Sequence, residues 1–273
     1  MKQVLARKSD YHVHSKWSPD SSMETLSILE ICRENKILDV AFTDHVDLFY
    51  PKKTNLGFDI PAYQKEIFKL RKYYHDITIL VGIEVGANQT NLRETENFLQ
   101  KHSFDFVIAS IHTSKEFSFC NRLLTKKLTI ESLLDIYFQE MIFVTKNLTS
   151  FQVLGHIDYL LRYHSISCHD FLAHQEQIET VLTNIIKKNH GLEINTKSWS
   201  NDKLNEPMQT ILSIYKKLGG QYLTIGSDSH SLNQLGKNFD KAILMINKAG
   251  FTHYHLFRNK EWVPVPIAEY LEE

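Results

Sequence analysis

The sequence predicts an α/β fold in which a parallel sheet closes into a barrel. Three observations support this: seven short apolar runs suited to strands, amphipathic helical stretches between them, and a length of 273 residues. An α/β barrel needs roughly 250 residues, so the whole chain, 1–273, is expected to form one domain. Because no dinucleotide-binding fingerprint is present, closure is favoured over an open doubly wound sheet, which is the alternative.

The predicted strands are short runs bounded by polar or turn-forming residues. They cover residues 11–14, 40–43, 77–84, 104–110, 152–155, 191–195 and 222–226. Since helical stretches separate them, successive strands are expected to run parallel, with the helices outside. The C-terminal segment, residues 250–273, fits either an eighth strand or a segment that closes the barrel.

Several predicted helices have recognisable ends. Ser21-Ser22-Met23-Glu24 offers a capping box for the first helix. Residues 130–146 and 176–188 carry apolar side chains at helical spacing. Pro207 suits the first position of a later helix, which Gly219-Gly220 would end.

The composition limits the partners of this protein. A formal net charge of −1 gives no general attraction to nucleic acid or to anionic membranes, so neither is expected as a partner and any phosphate group must be recognised locally. No apolar run approaches transmembrane length. The cysteines are odd in number and in no metal-type spacing, which predicts reduced thiols in a cytoplasmic protein. Nothing in the sequence indicates an oligomeric state.

Histidines and carboxylates recur at the carboxyl ends of the predicted strands. His12 and His14 project from one face of the first strand and could supply half of a metal site, although such a pair alone is commonly an exposed strand face. The strand ends converge on one mouth in a barrel. Asp20 lies in the loop after the first strand. In chain order, the ends of the later strands carry Thr43-Asp44-His45, Gly82-Ile83-Glu84, Ser110-Ile111-His112, Gly155-His156-Ile157-Asp158, Glu193-Ile194-Asn195 and Ser227-Asp228-Ser229-His230.

The number of these groups favours a metal site over separate structural roles. A single strand-end histidine or aspartate commonly binds a backbone group or caps a helix. Many such groups in one mouth would repel each other or remain unpaired unless a cation compensated them. The mixture of imidazole and carboxylate suits zinc, iron or manganese, and does not suit calcium.

These motifs, in this order, resemble those of the polymerase-and-histidinol-phosphatase (PHP) superfamily from about Asp10 to His230. The length and the stretch 155–163 are most similar to its monofunctional histidinol-phosphate phosphatases. The resemblance implies a distorted (β/α)7 barrel with two to three divalent metals, zinc, iron or manganese, at the C-terminal ends of the strands.

The resemblance also implies a role for each motif residue. The first metal would be held by His12, His14, Glu84 and Asp228. The second would be held by Glu84, which bridges, and by His112 and His156. The third would be held by Asp20, His45 and His230. The expected catalytic residues are Glu84, Asp228 and His230.

The implied reaction is hydrolysis of L-histidinol phosphate to L-histidinol and phosphate, a step of histidine biosynthesis, with a metal-bridging hydroxide as the nucleophile. Divalent cations make such a nucleophile available near neutral pH and take up charge on the phosphoryl oxygens. Arg162 is predicted to grip the phosphate, because a guanidinium can bond two oxygens at once, and Lys197 is a second candidate. An exposed surface position is the alternative for Arg162.

The sequence leaves two other functions open. The first is a PHP phosphoesterase for another small phosphate ester or for nucleic acid. A nuclease should line its mouth with basic and aromatic groups, and the strand-end loops contain no basic run beyond Lys126-Lys127. The second is a non-catalytic metal-binding module, which would typically have lost a ligand, whereas all nine positions here hold competent residues.

Overall fold

The barrel is built from parallel strands, as the sequence predicts. A computed structural model describes residues 8–48, 58–199 and 205–271. The strands along the barrel are β1 (Lys8–Val13), β2 (Ile37–Phe42), β3 (His45–Asp47), β4 (Thr78–Gly86), β5 (Phe106–Ser110), β6 (Val153–Leu154), β7 (Gly191–Asn195) and β8 (Leu223–Gly226). All seven predicted strands are present, and the short β3, which pairs with β4, is an addition.

The sheet is nearly closed. Its strands follow the order β1-β2-β4-β5-β6-β7-β8, with every neighbouring pair parallel. Beyond the end of β8, Ser229 pairs with Val13, and the Ser229 carbonyl accepts a hydrogen bond of 3.1 Å from the backbone N–H of His14. The seven-stranded PHP-type barrel is therefore confirmed, and the open doubly wound alternative is wrong.

Helices cover the outside of the barrel. In the described parts of the chain they are α1 (Thr25–Glu34), α2 (Ile60–Arg71), α3 (Leu92–Lys101), α4 (Arg122–Thr125), α5 (Ile130–Asn147), α6 (Cys168–Leu172), α7 (Gln175–Lys187), α8 (Glu206–Lys217) and α9 (Phe239–Lys248). The helices predicted at 130–146, at 176–188 and at Pro207 are confirmed. None of the helices in the described residues combines the length and apolar character needed to span a lipid bilayer.

The capping box predicted at Ser21-Ser22-Met23-Glu24 is wrong. Glu24 is the N-cap residue of α1 but makes no side-chain capping hydrogen bond. Its carboxylate lies 2.7 Å from Lys16 Nζ, and Ser21 Oγ donates to the His14 carbonyl at 3.2 Å. The reason is that this loop folds back on the end of β1, so its polar groups bind the strand end and leave the helix N-terminus without them.

A buried tyrosine ties together the strands that carry two of the strand-end motifs. The Tyr63 hydroxyl, on α2, lies 2.9 Å from the Phe42 carbonyl and 2.8 Å from the Gly82 carbonyl. These carbonyls stand at the end of β2 and in the middle of β4, just before the motifs Thr43-Asp44-His45 and Glu84. Packing of α2 therefore fixes the relative position of those motifs.

The C-terminal tail forms a separate hairpin of β9 (His253–Arg258) and β10 (Glu261–Pro266), and is not an eighth barrel strand. It covers the N-terminal ends of the strands. The Trp262 ring stacks on Tyr222 with centroids 4.8 Å apart, and its Nε1 donates to the Asn189 carbonyl at 3.1 Å. Tyr222 and Asn189 precede β8 and β7, so the hairpin lies opposite the strand-end motifs.

We predict that Trp262→Ala lowers the free energy of unfolding by about 2 kcal/mol, less than for a fully enclosed ring because Trp262 is half-buried. Chemical denaturation would measure the loss. Tyr73→Ala is the matched control, because that ring is 69% exposed, and it should change the value by less than about 0.5 kcal/mol. Equal small losses would show that the hairpin does not stabilise the barrel.

Candidate metal centre

The strand-end residues meet at one end of the barrel. Their ligand-type atoms form four overlapping clusters, in each of which the atoms lie within 4.8 Å of one another. The clusters are His14, Asp20, His45 and His230; His12, His14 and Glu84; His12, His156 and Asp228; and His45, Glu84 and His112. The structure thus brings together all nine residues that the sequence predicted as metal ligands.

The carboxylate of Glu84 stands at the centre of these clusters and is fully buried. Its Oε1 lies 2.8 Å from His156 Nε2 and 3.1 Å from His112 Nε2. Its Oε2 faces three further imidazole nitrogens, at 2.9 Å (His45 Nδ1), 3.2 Å (His12 Nε2) and 3.5 Å (His14 Nε2). Although burial disfavours the charged form, the surrounding imidazoles hold the pKa of Glu84 well below its usual range. Glu84 is therefore ionised.

Four buried atoms at this centre form no hydrogen bond: His12 Nε2, His14 Nε2, His45 Nδ1 and Glu84 Oε2. A buried polar atom without a partner costs about 1–3 kcal/mol, and the three nitrogens lie within 3.5 Å of the fourth atom, Glu84 Oε2, so the four require a common partner. A cation that accepts several lone pairs satisfies all four. The donor set of imidazole and carboxylate fits a divalent transition metal.

The hydrogen bonds around His14 leave its inner nitrogen with a lone pair. Ser18 Oγ donates to Asp44 Oδ1 at 2.8 Å, so at 3.0 Å from His14 Nδ1 it must accept the ring proton. Burial, aided by the charge of His45, holds the pKa of His14 well below its usual range. Burial also lowers the pKa of His156 to about 4. Both rings are therefore neutral, the state that binds a metal.

Glu193 positions two of the imidazole-bearing residues. Its Oε1 lies 2.5 Å from His12 Nδ1, and its Oε2 accepts a hydrogen bond of 2.7 Å from the backbone N–H of His156. Asn195 Nδ2 lies 3.2 Å from both Glu193 Oε2 and Asp228 Oδ2. From the sequence, Glu193 and Asn195 were expected at a strand end, but no role was predicted for them. The sequence feature that could have indicated a role is the i, i+2 spacing of Glu193 and Asn195. On a strand this spacing directs both side chains to the same face, here into the barrel, where the histidines of β1 also point.

Glycine at the end of β8 allows these groups to approach closely. A Cβ on Gly226 would lie 2.4 Å from His12 Cβ and 2.6 Å from Glu193 Oε1. Any other residue would therefore push His12 away from Glu193.

Asp228 contacts both the metal-type cluster and two positively charged side chains, Arg162 and Lys197. Its backbone has a φ of 51°, a left-handed conformation that aspartate tolerates better than most residues. Its Oδ2 accepts a 2.6 Å hydrogen bond from Arg162 Nη1, and its Oδ1 lies 3.0 Å from Lys197 Nζ. The Arg162 side chain is 8% exposed, so the alternative of a surface arginine is wrong. Burial opposes ionisation, yet Lys197, His12 and Arg162 hold the pKa of Asp228 well below its usual range.

The cluster at the mouth of the barrel is more open. His230 Nε2 lies 3.0 Å from Asp20 Oδ2, and His45 Nε2 lies 3.5 Å from the same oxygen. The Asp20 side chain is 53% exposed. This part of the centre can therefore exchange with solvent more readily than the buried part around Glu84.

Two further aspartates orient neighbouring groups, and neither caps a helix. Asp44 accepts hydrogen bonds from the backbone and side chain of Ser15, and burial raises its pKa to about 6. Asp47 lies 3.3 Å from His112 Nδ1. Although burial favours the neutral ring, Asp47 and Glu84 raise the pKa of His112 to about 9. Asp47 thereby directs Nε2 of that ring toward Glu84.

A cavity of about 280 Å³ opens above the centre. Six of the predicted ligands line it, together with both predicted phosphate-binding residues, Arg162 and Lys197. Its other lining side chains were not identified from the sequence as lining residues; they include Thr113, Ser118, Cys120, Tyr159 and Tyr163. The volume suits a small molecule.

Comparison with known proteins identifies the family. The model of the PHP domain family matches residues 10–197. The chain belongs to the PHP family. Histidinol-phosphatase of Lactococcus lactis is 30% identical over 250 residues, which cover 90% of this chain and 92% of that protein. A Clostridium acetobutylicum protein named "Probable histidinol-phosphatase" is 31% identical over 240 residues, which cover 86% and 91%.

A solved structure agrees with this assignment. The crystal structure of histidinol phosphate phosphatase from Lactococcus lactis, complexed with zinc, L-histidinol and phosphate, is 28% identical and has a TM-score of 0.87. The similarity covers 94% of this chain and 99% of that one. The resemblance to the PHP superfamily and to its histidinol phosphatases, inferred from the motifs, is confirmed.

We predict that Glu193→Gln weakens zinc binding by about 10- to 100-fold, because an uncharged amide holds the His12 ring less firmly. Competition with a chromophoric chelator would measure the affinity. Glu34→Gln, the same change at an exposed position on α1, should leave it unaltered. An unchanged affinity in Glu193→Gln would mean that the orientation of His12 does not depend on Glu193.

Proposed function

We propose that this protein is a metal-dependent phosphomonoesterase that hydrolyses L-histidinol phosphate to L-histidinol and phosphate. The observation that carries the proposal is the set of nine imidazole and carboxylate groups beneath a small cavity that also contains a buried arginine. The relatives named histidinol-phosphatase, similar over most of the chain, support the choice of substrate. The reaction would place the protein in histidine biosynthesis, in keeping with the predicted cytoplasmic location.

The nine clustered residues would hold two to three divalent ions of zinc, iron or manganese, and zinc is present in the Lactococcus lactis structure. When bound, these ions would activate a water molecule and take up charge on the phosphoryl oxygens. Of the residues predicted to be catalytic, Asp228 and His230 line the cavity, where they can contact the substrate. Glu84 lies beneath them and acts through the groups around it.

The chain itself supplies positive charge for the phosphate. Arg162 Nη1 and Lys197 Nζ both contact Asp228 at the wall of the cavity, so a phosphate dianion entering there meets two cations. The guanidinium lies 5.6 Å from the centroid of the Tyr159 ring, which restricts its movement. Arg162 is the stronger candidate because it is buried and can bond two phosphate oxygens at once.

Another small phosphate ester is the alternative substrate. The cavity of about 280 Å³ favours either small ester over nucleic acid, which needs an extended groove. Turnover of L-histidinol phosphate and of p-nitrophenyl phosphate, measured on protein of known metal content, separates the two substrates. A higher kcat/KM for the generic aryl ester would contradict the proposed substrate and leave the phosphomonoesterase activity intact.

We predict that the purified protein contains two to three equivalents of transition metal and loses turnover on chelation. Glu84→Gln should abolish turnover and lower the metal content measured by elemental analysis, because a neutral amide cannot replace the central carboxylate. His169→Gln is the control, since that side chain is 92% exposed, and it should behave as the parent. Activity that survives complete removal of metal would refute the metal-dependent mechanism.

We predict that Arg162→Ala raises KM and lowers kcat/KM by about 30- to 150-fold, equivalent to roughly 2–3 kcal/mol for a charge-assisted contact. Metal content should persist, because Lys197 still neutralises Asp228. Arg162→Lys should recover part of the loss, since an ammonium cannot make the paired contact. A change below about threefold in Arg162→Ala would transfer the phosphate-binding role to Lys197.

A further inference from the structure

The cavity has an aromatic wall that has no direct role in holding the proposed metals or the phosphate. Tyr159 and Tyr163 line it, next to Ser118 and Cys120 from the loop after β5. The two phenol rings pack against each other, with centroids 5.0 Å apart and planes inclined by 57°. This wall is available to the part of the substrate that is not phosphate.

The two tyrosines differ in how much of each ring remains available. Tyr159 is buried, with its centroid 4.9 Å from the His156 ring and 5.2 Å from the His112 ring. It is therefore enclosed by the imidazoles, by Tyr163 and by Arg162. Tyr163 is half-buried, so part of its ring faces the cavity.

The position of Tyr163 in the chain places it close to the phosphate-binding group. It directly follows Arg162 at the end of a 3₁₀ helix, Tyr159–Arg162, and both side chains line the same cavity. Consecutive Cα atoms are about 3.8 Å apart. Because both residues line one cavity of about 280 Å³, the organic group of an ester whose phosphate lies at Arg162 shares that space with the Tyr163 ring.

We propose that Tyr163, supported from behind by Tyr159, determines specificity by stacking on the imidazole ring of the leaving group. The inference rests on the proposed function, because L-histidinol carries such a ring. Aromatic pairs at centroid distances of 4.5–7 Å add roughly 2- to 12-fold to an affinity beyond the area they bury. The apolar area that the stacked ring buries adds to this gain. Removal of the phenol ring should therefore reduce the preference for the imidazole-bearing ester by about 10-fold or more.

The test compares two substrates that differ only in the imidazole, L-histidinol phosphate and L-alaninol phosphate. In the parent protein kcat/KM should favour the histidinol ester. In Tyr163→Leu the ratio of the two values should fall by about 10-fold, while kcat/KM for L-alaninol phosphate stays within about twofold. Tyr163→Phe keeps the ring and should keep the ratio. Tyr73→Leu, at an exposed ring, is the control.

Binding of the product alcohols gives a readout that does not depend on turnover. Calorimetry with phosphate present should show that Tyr163→Leu weakens the binding of L-histidinol by about 10-fold and leaves the binding of L-alaninol unchanged. Zinc content and thermal stability of each variant confirm that the site is intact, and Tyr163→Gln replaces Tyr163→Leu if the latter does not fold.

The results that would overturn the role of Tyr163 differ from the result that would refute the proposed function. An unchanged ratio in Tyr163→Leu, or equal losses for both esters, would overturn the role of Tyr163 while the parent protein still hydrolysed L-histidinol phosphate. A parent protein that did not discriminate between the two esters would overturn it as well. A parent protein inactive on both esters would refute the proposed function itself.

Discussion

The ionised carboxylate of Glu84, fully buried at the centre of the barrel, is the constraint on which the site depends. A buried charge is tolerated only when it is paired, and here the imidazole nitrogens of His12, His45, His112 and His156 lie within 3.2 Å of its oxygens. Those rings come from β1, β3 and the ends of β5 and β6. The strands must therefore keep their register for the charge to remain compensated, which couples barrel closure to the integrity of the site.

A second layer of carboxylates determines which nitrogen each ring directs inward. Glu193 contacts the outer nitrogen of His12, and Asp47 contacts the outer nitrogen of His112. Asp44 accepts a hydrogen bond from Ser18, which in turn contacts the outer nitrogen of His14. Because one nitrogen of each ring is engaged, the other must face Glu84 or Asp228. The centre is thus preorganised by ordinary hydrogen bonds, and binding of a metal there requires little rearrangement of these rings.

The strand-end residues could be predicted because parallel strands that alternate with helices direct their carboxyl ends to one side, whatever the details of packing. The features that the sequence did not predict correctly have long-range causes. The role of Glu193 depends on His12, which lies 181 residues away. The capping box failed because Ser21 and Glu24 bind the loop around β1, a contact that local pattern cannot show. Burial of Arg162 likewise depends on Asp228, 66 residues distant.

Asp228 shows how the metal-type cluster and the substrate cavity share one group. The same carboxylate faces the imidazoles of His12 and His14 on one side and Arg162 and Lys197 on the other. Two cations beside one carboxylate leave net positive charge at the cavity wall, where a phosphate dianion can be attracted. Bound cations on the inner side would compete with Arg162 and Lys197 for the charge of Asp228, which would leave both side chains freer to bind phosphate. Charge balance at this one residue would then link occupancy of the metal centre to affinity for the substrate.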